Sequence, residues 1–202
     1  MTPETVRHKD AGVRLYKATH FPMQWVFVAQ LTSHREQQVD PTVFEHNNTL
    51  WMFASGRKKT EGMLYLYFSD RIDKGWMPHP NNPVASSAVF GRPGGRVVKT
   101  LDGSLYRFGQ STLYQYGSSV TSLKITQLTR NSYSEVELLQ GPTVHRSGSG
   151  LVNKGSDKRG LPWYKSARCS EWNCAGMHHV DAHALDSNLW VAAVDGSRAT
   201  HC

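Results

Sequence analysis

The chain has 202 residues, carries a formal net charge of +7, and is 39% apolar and 19% charged. That length suits one domain with a sizeable core, and 6 Trp, 8 Tyr and 7 Phe beside 17 Gly and 9 Pro exclude disorder and a coiled coil. The longest uninterrupted apolar run, Met63–Phe68, is far short of the roughly 20 residues needed to cross a bilayer.

Met1–Thr5 leads into charge rather than an apolar segment, so a secretory signal is not expected. Residues 13–31 then read as the outer two strands of a propeller blade, with Leu15-Tyr16-Lys17-Ala18 followed by Trp25. The same pattern returns 51 residues later, where Leu66-Tyr67-Phe68-Ser69 is followed by Trp76. A second repeat interleaves with it: Val39-Asp40, Phe44 and Leu50-Trp51 resemble Val180-Asp181, Leu185 and Leu189-Trp190. A period near 50 with several short apolar strands per unit is a blade signature.

Fuller blades are expected over 39–79 and 92–139. Leu50–Ala54, Met63–Phe68, Leu105–Phe108, Val120–Ile125 and Leu189–Val194 are short and rich in aromatic and β-branched residues. Asp102-Gly103 is the strongest hairpin signal. An inner strand pair over 176–195 closes the series. No helical periodicity extends beyond about ten residues. The fold expected is all-β, with about three to four blades in the chain.

The positive charge is uneven. Residues 142–170 hold Arg146, Lys154, Lys158, Arg159, Lys165 and Arg168 against Asp157 alone. With Ser147–Gly150 and Gly155-Ser156, this segment reads as a long mobile loop. Arg57-Lys58-Lys59 reads as a basic turn. A nucleic-acid partner is therefore not expected. Cys169, Cys174 and Cys202 are too few and too crowded for a disulfide framework, and reduced thiols are expected. Asn47-Asn48-Thr49 matches a glycosylation sequon.

Asp40-Pro41 opens an innermost strand, where an acidic side chain points toward a propeller channel. Glycoside hydrolysis needs a second carboxylate, and Glu135 and Asp181 are the candidates. The competing reading is that Asp40 and the repeat-equivalent Asp181 only cap the start of strands. His179, Asp181 and His183 share a strand face, but neighbours about 7 Å apart do not all reach one metal ion. No metal or cofactor is expected. Gly91-Arg92-Pro93-Gly94-Gly95-Arg96 lacks the Lys-Ser/Thr of a phosphate loop and reads as a sharp turn presenting Arg92 to the channel.

The strings Leu64-Tyr65-Leu66-Tyr67, Gly75-Trp76-Met77-Pro78-His79-Pro80-Asn81-Asn82-Pro83, Gly91–Arg96, Leu105-Tyr106-Arg107-Phe108-Gly109-Gln110, Tyr133-Ser134-Glu135 and Gly176–Asp181 carry a resemblance. Over about 13–196 the chain resembles the amino-terminal domain of plant-type glucosamine inositolphosphorylceramide transferases. The resemblance implies a five-bladed propeller related to arabinanases, invertases and levansucrases, incomplete in this chain. It also implies a Golgi or secretory setting, where the domain precedes a membrane-associated glycosyltransferase domain. The function expected is a carbohydrate-recognition module for a glycan or glycolipid headgroup. Its channel would be lined by Asp40, Arg92, Arg107, Gln110, Glu135, His178, His179 and Asp181. The alternatives are a glycoside hydrolase using Asp40, Glu135 or Asp181, or a truncated protein without independent activity.

Overall fold

The computed structural model describes residues 1–4, 12–33, 37–57, 61–113, 117–138, 151–156, 162–166, 177, 179–184 and 190–195. His178, the three cysteines, Lys58, Lys59, Leu185 and Leu189 lie outside the described residues.

Strands β1 (Arg14–His20) and β2 (Gln24–Gln30) form an antiparallel hairpin. Next, β3 (Gln38–His46), β4 (Thr49–Gly56), β5 (Met63–Ser69) and β6 (Met77–Pro78) pair in that order, with β7 (Ala85–Ser86) also on β5. The second full sheet joins β8 (Arg92–Pro93), β9 (Val98–Lys99), β10 (Leu105–Gln110), β11 (Val120–Leu128) and β12 (Tyr133–Glu137) in the order β12-β11-β10-β8, with β9 on β10. Inside the segment expected to be a basic loop, β13 (Leu151–Ser156) and β14 (Pro162–Ser166) pair antiparallel. Hairpin β15 (Val180–Ala184) and β16 (Trp190–Val194) ends the described chain.

Turn chemistry accounts for the meander. Asn47 and Asn48 take φ of 49° and 55° between the paired His46 and Thr49, the two-residue turn that matches strand twist. At the predicted Asp102-Gly103 turn, Asp102 accepts bonds from Thr100 Oγ1, Ser104 N and Ser104 Oγ, while Gly103 takes φ of 82°. The repeated tryptophans have a local reason too. Trp25 Nε1 donates to Pro22 O at 2.8 Å and Trp76 Nε1 donates to Ile72 O at 3.0 Å, each pinning the turn before an outermost strand.

Three apolar clusters stack the units side by side. Val13 and Leu31, flanking the first hairpin, meet Met52 and Tyr67 of the first full sheet. Trp51, Phe53, Leu64, Leu66 and Phe68 of that sheet meet Leu105 and Ile125 of the second. Val98, Phe108 and Val120 of the second meet Met177 and Val180. These are consecutive blades of a propeller, and the described sheets do not close into a ring.

Candidate functional site

The innermost strands meet at the glycine-rich loop Gly91–Arg96. Gly95 takes φ of 142° and bridges Val180 in parallel, and Val180 N donates to Gly94 O at 2.7 Å. A Cβ at Gly95 would stand 1.8 Å from Val180 O, so only glycine permits this approach. On the other side, Thr42 Oγ1 donates to Gly95 O at 3.4 Å. The loop is thereby wedged between β3 and β15.

Each arginine of the loop reaches a different neighbour. Arg92 Nε donates to Asp40 Oδ2 at 2.5 Å, and Gln110 Nε2 donates to the same oxygen at 3.2 Å and to Pro93 O at 2.8 Å. Arg96 pairs with Asp181, with Nη2 donating to Oδ2 at 3.3 Å, and His183 Nδ1 lies 3.4 Å from Arg96 Nη1. The two repeat-equivalent aspartates are thus held by two arginines four residues apart. The first pair is largely enclosed, at 13% and 26% side-chain exposure, and the second is open at 49% and 34%.

Asp40 sits at a break in the β3–β4 register between Val39 and Thr42, with φ of 51°. A non-glycine residue there is uncommon, and preceding a proline makes it more so. The ion pair with Arg92 offsets that local cost.

Beside these pairs lies a cleft of about 540 Å³, lined by Pro41–Phe44, Gly95–Val97, His179 and Asp181. His179 is fixed through its backbone, its N–H donating to Asp195 Oδ1 at 2.8 Å. The cleft offers carboxylate, guanidinium, imidazole and hydroxyl groups beside the Phe44 ring, a set suited to polar ligands with one apolar face.

Two expected channel residues are placed elsewhere. Arg107 is 2% exposed and Glu135 10%, and they form a two-point pair at 2.5 Å in each bond. Arg107 also donates to Phe90 O at 2.8 Å, and Tyr133 OH donates to Glu135 Oε2 at 2.5 Å. Arg107 Cζ lies 5.9 Å from the centre of the Phe53 ring. This corrects the sequence reading: alternation along β10 and β12 turns both side chains into the space between the blades. There Glu135 neutralises a buried guanidinium.

Sequence reasoning missed Glu4. Burial raises its carboxyl above the ordinary 4.5, and the Asp40 charge adds to this, while Arg92 and Arg57 oppose it. No local signal marks it. The first residues are brought in by tertiary bonds, with Tyr16 N donating to Met1 O at 2.9 Å and the Met1 ammonium to Tyr16 O at 2.7 Å.

Residues 1–159 match the family model described as Glucosamine inositolphosphorylceramide transferase 1, N-terminal. The chain is 32% identical over 206 residues to Glucosamine inositolphosphorylceramide transferase 1 of Oryza sativa subsp. japonica, covering 98% of this chain and 24% of that protein. It is 30% identical over 207 residues to the Arabidopsis thaliana protein of that name, covering 99% and 24%. The chain therefore spans about a quarter of the length of these relatives. In fold it is similar to the GH43_1 enzyme from Xanthomonas citri complexed with xylotriose, with a TM-score of 0.50 and 14% identity over 89% of this chain and 57% of that one. The α-L-arabinanase of Penicillium chrysogenum gives a TM-score of 0.48 at 14% identity over 93% and 64%. The fold is all-β and of the five-bladed propeller type, incomplete across the described residues.

Proposed function

The chain belongs to the family of the amino-terminal domain of glucosamine inositolphosphorylceramide transferase 1, and we propose that it is a carbohydrate-recognition module of a glycolipid glycosyltransferase system. One observation carries this reading. A single rigid loop aims Arg92 and Arg96 at the two repeat-equivalent aspartates, and the more open pair lines the cleft. Aspartate oxygens accept from sugar hydroxyls, a half-exposed guanidinium suits a phosphate linker, and Phe44 offers an apolar wall.

The test is calorimetric titration with a water-soluble glucosamine–inositol phosphate headgroup. Saturable binding that weakens about tenfold or more in Arg96→Ala, with thermal unfolding unchanged, is the expected result. No binding to wild type by this headgroup or a panel of related glycans contradicts the reading.

A second reading has one specific observation behind it. Glu4 and Asp40 are neighbouring carboxylates, and Glu4 holds its proton to higher pH than usual. Two neighbouring carboxylates in unlike surroundings are what glycoside hydrolysis draws on. Release of sugar from a glycan panel, abolished separately by Glu4→Gln and Asp40→Asn, would favour hydrolysis over recognition. Glu135 has no part in this reading, because Arg107 and Tyr133 occupy its carboxylate.

A further inference from the structure

The seam between the two full sheets opens at both ends. Strand β3 passes from Pro41–Phe44 in the cleft to His46 at its far end, and β10 runs back from Leu105 to Gln110 beside Asp40. Between these ends the seam is filled by Phe53, Leu66, Leu105 and Ile125. At the far end a second opening, of about 390 Å³, is lined by His46, Asp102–Leu105 and Lys124–Leu128. It exists because β11 continues to Leu128 while β10 begins only at Leu105, opposite Ile125.

Two histidines show the difference between a structural ring and one left for a ligand. His79 has both nitrogens engaged: Nε2 lies 3.1 Å from Thr129 O, and Nδ1 accepts from Asn81 N at 3.2 Å. His46 Nδ1 is buried and has no hydrogen-bond partner among the described residues. Burial holds this imidazole below its ordinary 6.5, and the charge of Lys99 adds to that. Lys99 stands opposite Leu105 on β9, and Lys124 opposite Tyr106 on β11, its Nζ 5.9 Å from the centre of the Tyr106 ring. Asp102 is the one carboxylate among the lining residues, and its own turn occupies it. The Thr100 hydroxyl and Ser104 hold it below the usual carboxylate range, and the Lys124 charge adds to this. The opening thus carries uncommitted positive charge beside an apolar wall of Leu105, Ile125 and Leu128.

We propose that this opening binds a phosphate monoester, with Lys124 and Lys99 supplying charge, His46 taking up one proton from solvent to donate a hydrogen bond, and Leu105 and Leu128 seating the organic part. A phosphate dianion offers acceptors to both ammonium groups, and its charge offsets the one that keeps the His46 ring neutral. The site lies at the other end of the seam from the Arg96 cleft and does not rest on recognition there.

The test follows the His46 ring by proton NMR in the full chain at neutral pH, its resonance assigned by its loss in His46→Gln. Inorganic phosphate is expected to move the resonance saturably toward the protonated position, while chloride at matched ionic strength leaves it in place. Affinity is expected to fall about tenfold in Lys124→Ala, and by a smaller factor in Lys99→Ala, with thermal unfolding unchanged. A vesicle arm separates a lipid phosphate from a soluble one. Co-sedimentation with phosphatidylcholine vesicles only when they carry phosphatidic acid, lost in Lys124→Ala, assigns the site to a lipid phosphate. A phosphate response without co-sedimentation assigns it to a soluble ester. A ring unmoved by phosphate overturns the proposal, as does an equal shift in chloride or an undiminished affinity in Lys124→Ala.

Discussion

Arg107 and Arg96 belong to the same blade region and each holds a carboxylate, yet one pair is sealed between sheets and the other opens on a cleft. Around Arg107 every neighbour is committed: Glu135 at two points, Phe90 O, and Tyr133 bonded to Glu135. Burial pushes the Tyr133 phenol far above its usual range, so Tyr133 is a fixed proton donor at any physiological pH. Around Arg96 the partners are Asp181 and His183, both partly in water. Two ion pairs of similar chemistry therefore do different work. The first neutralises a buried guanidinium within the second sheet, against the Phe53 ring of the first, and the second leaves hydrogen-bonding groups open at the cleft.

Substitutions break this contrast in graded steps. The largest effect is expected for Glu135→Ala, which strands a buried guanidinium and costs about 3–5 kcal/mol in denaturant unfolding. Replacing Arg107 and Glu135 together by Met and Leu is expected to recover most of that loss, because an apolar pair needs no compensation there. Asp40→Ala comes next. It removes the acceptor of Arg92 and Gln110 and leaves alanine at φ of 51°, with an expected cost of about 2–3 kcal/mol. Asp40→Asn is expected to lose less, since asparagine tolerates that backbone and still accepts hydrogen bonds.

Arg96→Ala is expected to change stability by less than about 1 kcal/mol, because half-exposed pairs contribute little. The smallest effect is a pH dependence. The raised Glu4 value means that the folded chain holds this proton more readily than the unfolded chain. Its contribution to stability therefore falls as pH rises from the ordinary 4.5 through the raised value. Unfolding of Glu4→Gln followed across that window is expected to show a flatter profile than wild type.

Strands were legible in the sequence because their signals are local: aromatic repeats, the Asp-Gly turn, and short β-branched runs. Asp40, Arg92 and Gln110 come together in the structure through hydrogen bonds to the Asp40 carboxylate. The facing of Arg107 and Glu135 was not legible. Both strands alternate, and which face meets the neighbouring blade depends on residues 28 positions apart. The Trp-x-x-His-Pro-x-Asn-Pro string, so specific as a signature, turns out to clamp structure. His79 is buried against Thr129 O at 3.1 Å, and Asn82 bonds both the N–H and the C=O of Leu66 at 2.8 Å. Glu4 had no signal at all, because only tertiary contacts bring it to Asp40.

The most direct measurement compares headgroup affinity and thermal unfolding side by side in wild type, Arg96→Ala and the Arg107→Met/Glu135→Leu double variant. Loss of binding in Arg96→Ala at unchanged unfolding temperature, with binding kept in the double variant, is the predicted result. Binding that survives Arg96→Ala but disappears with the buried pair would contradict the assignment of the open cleft as the recognition face.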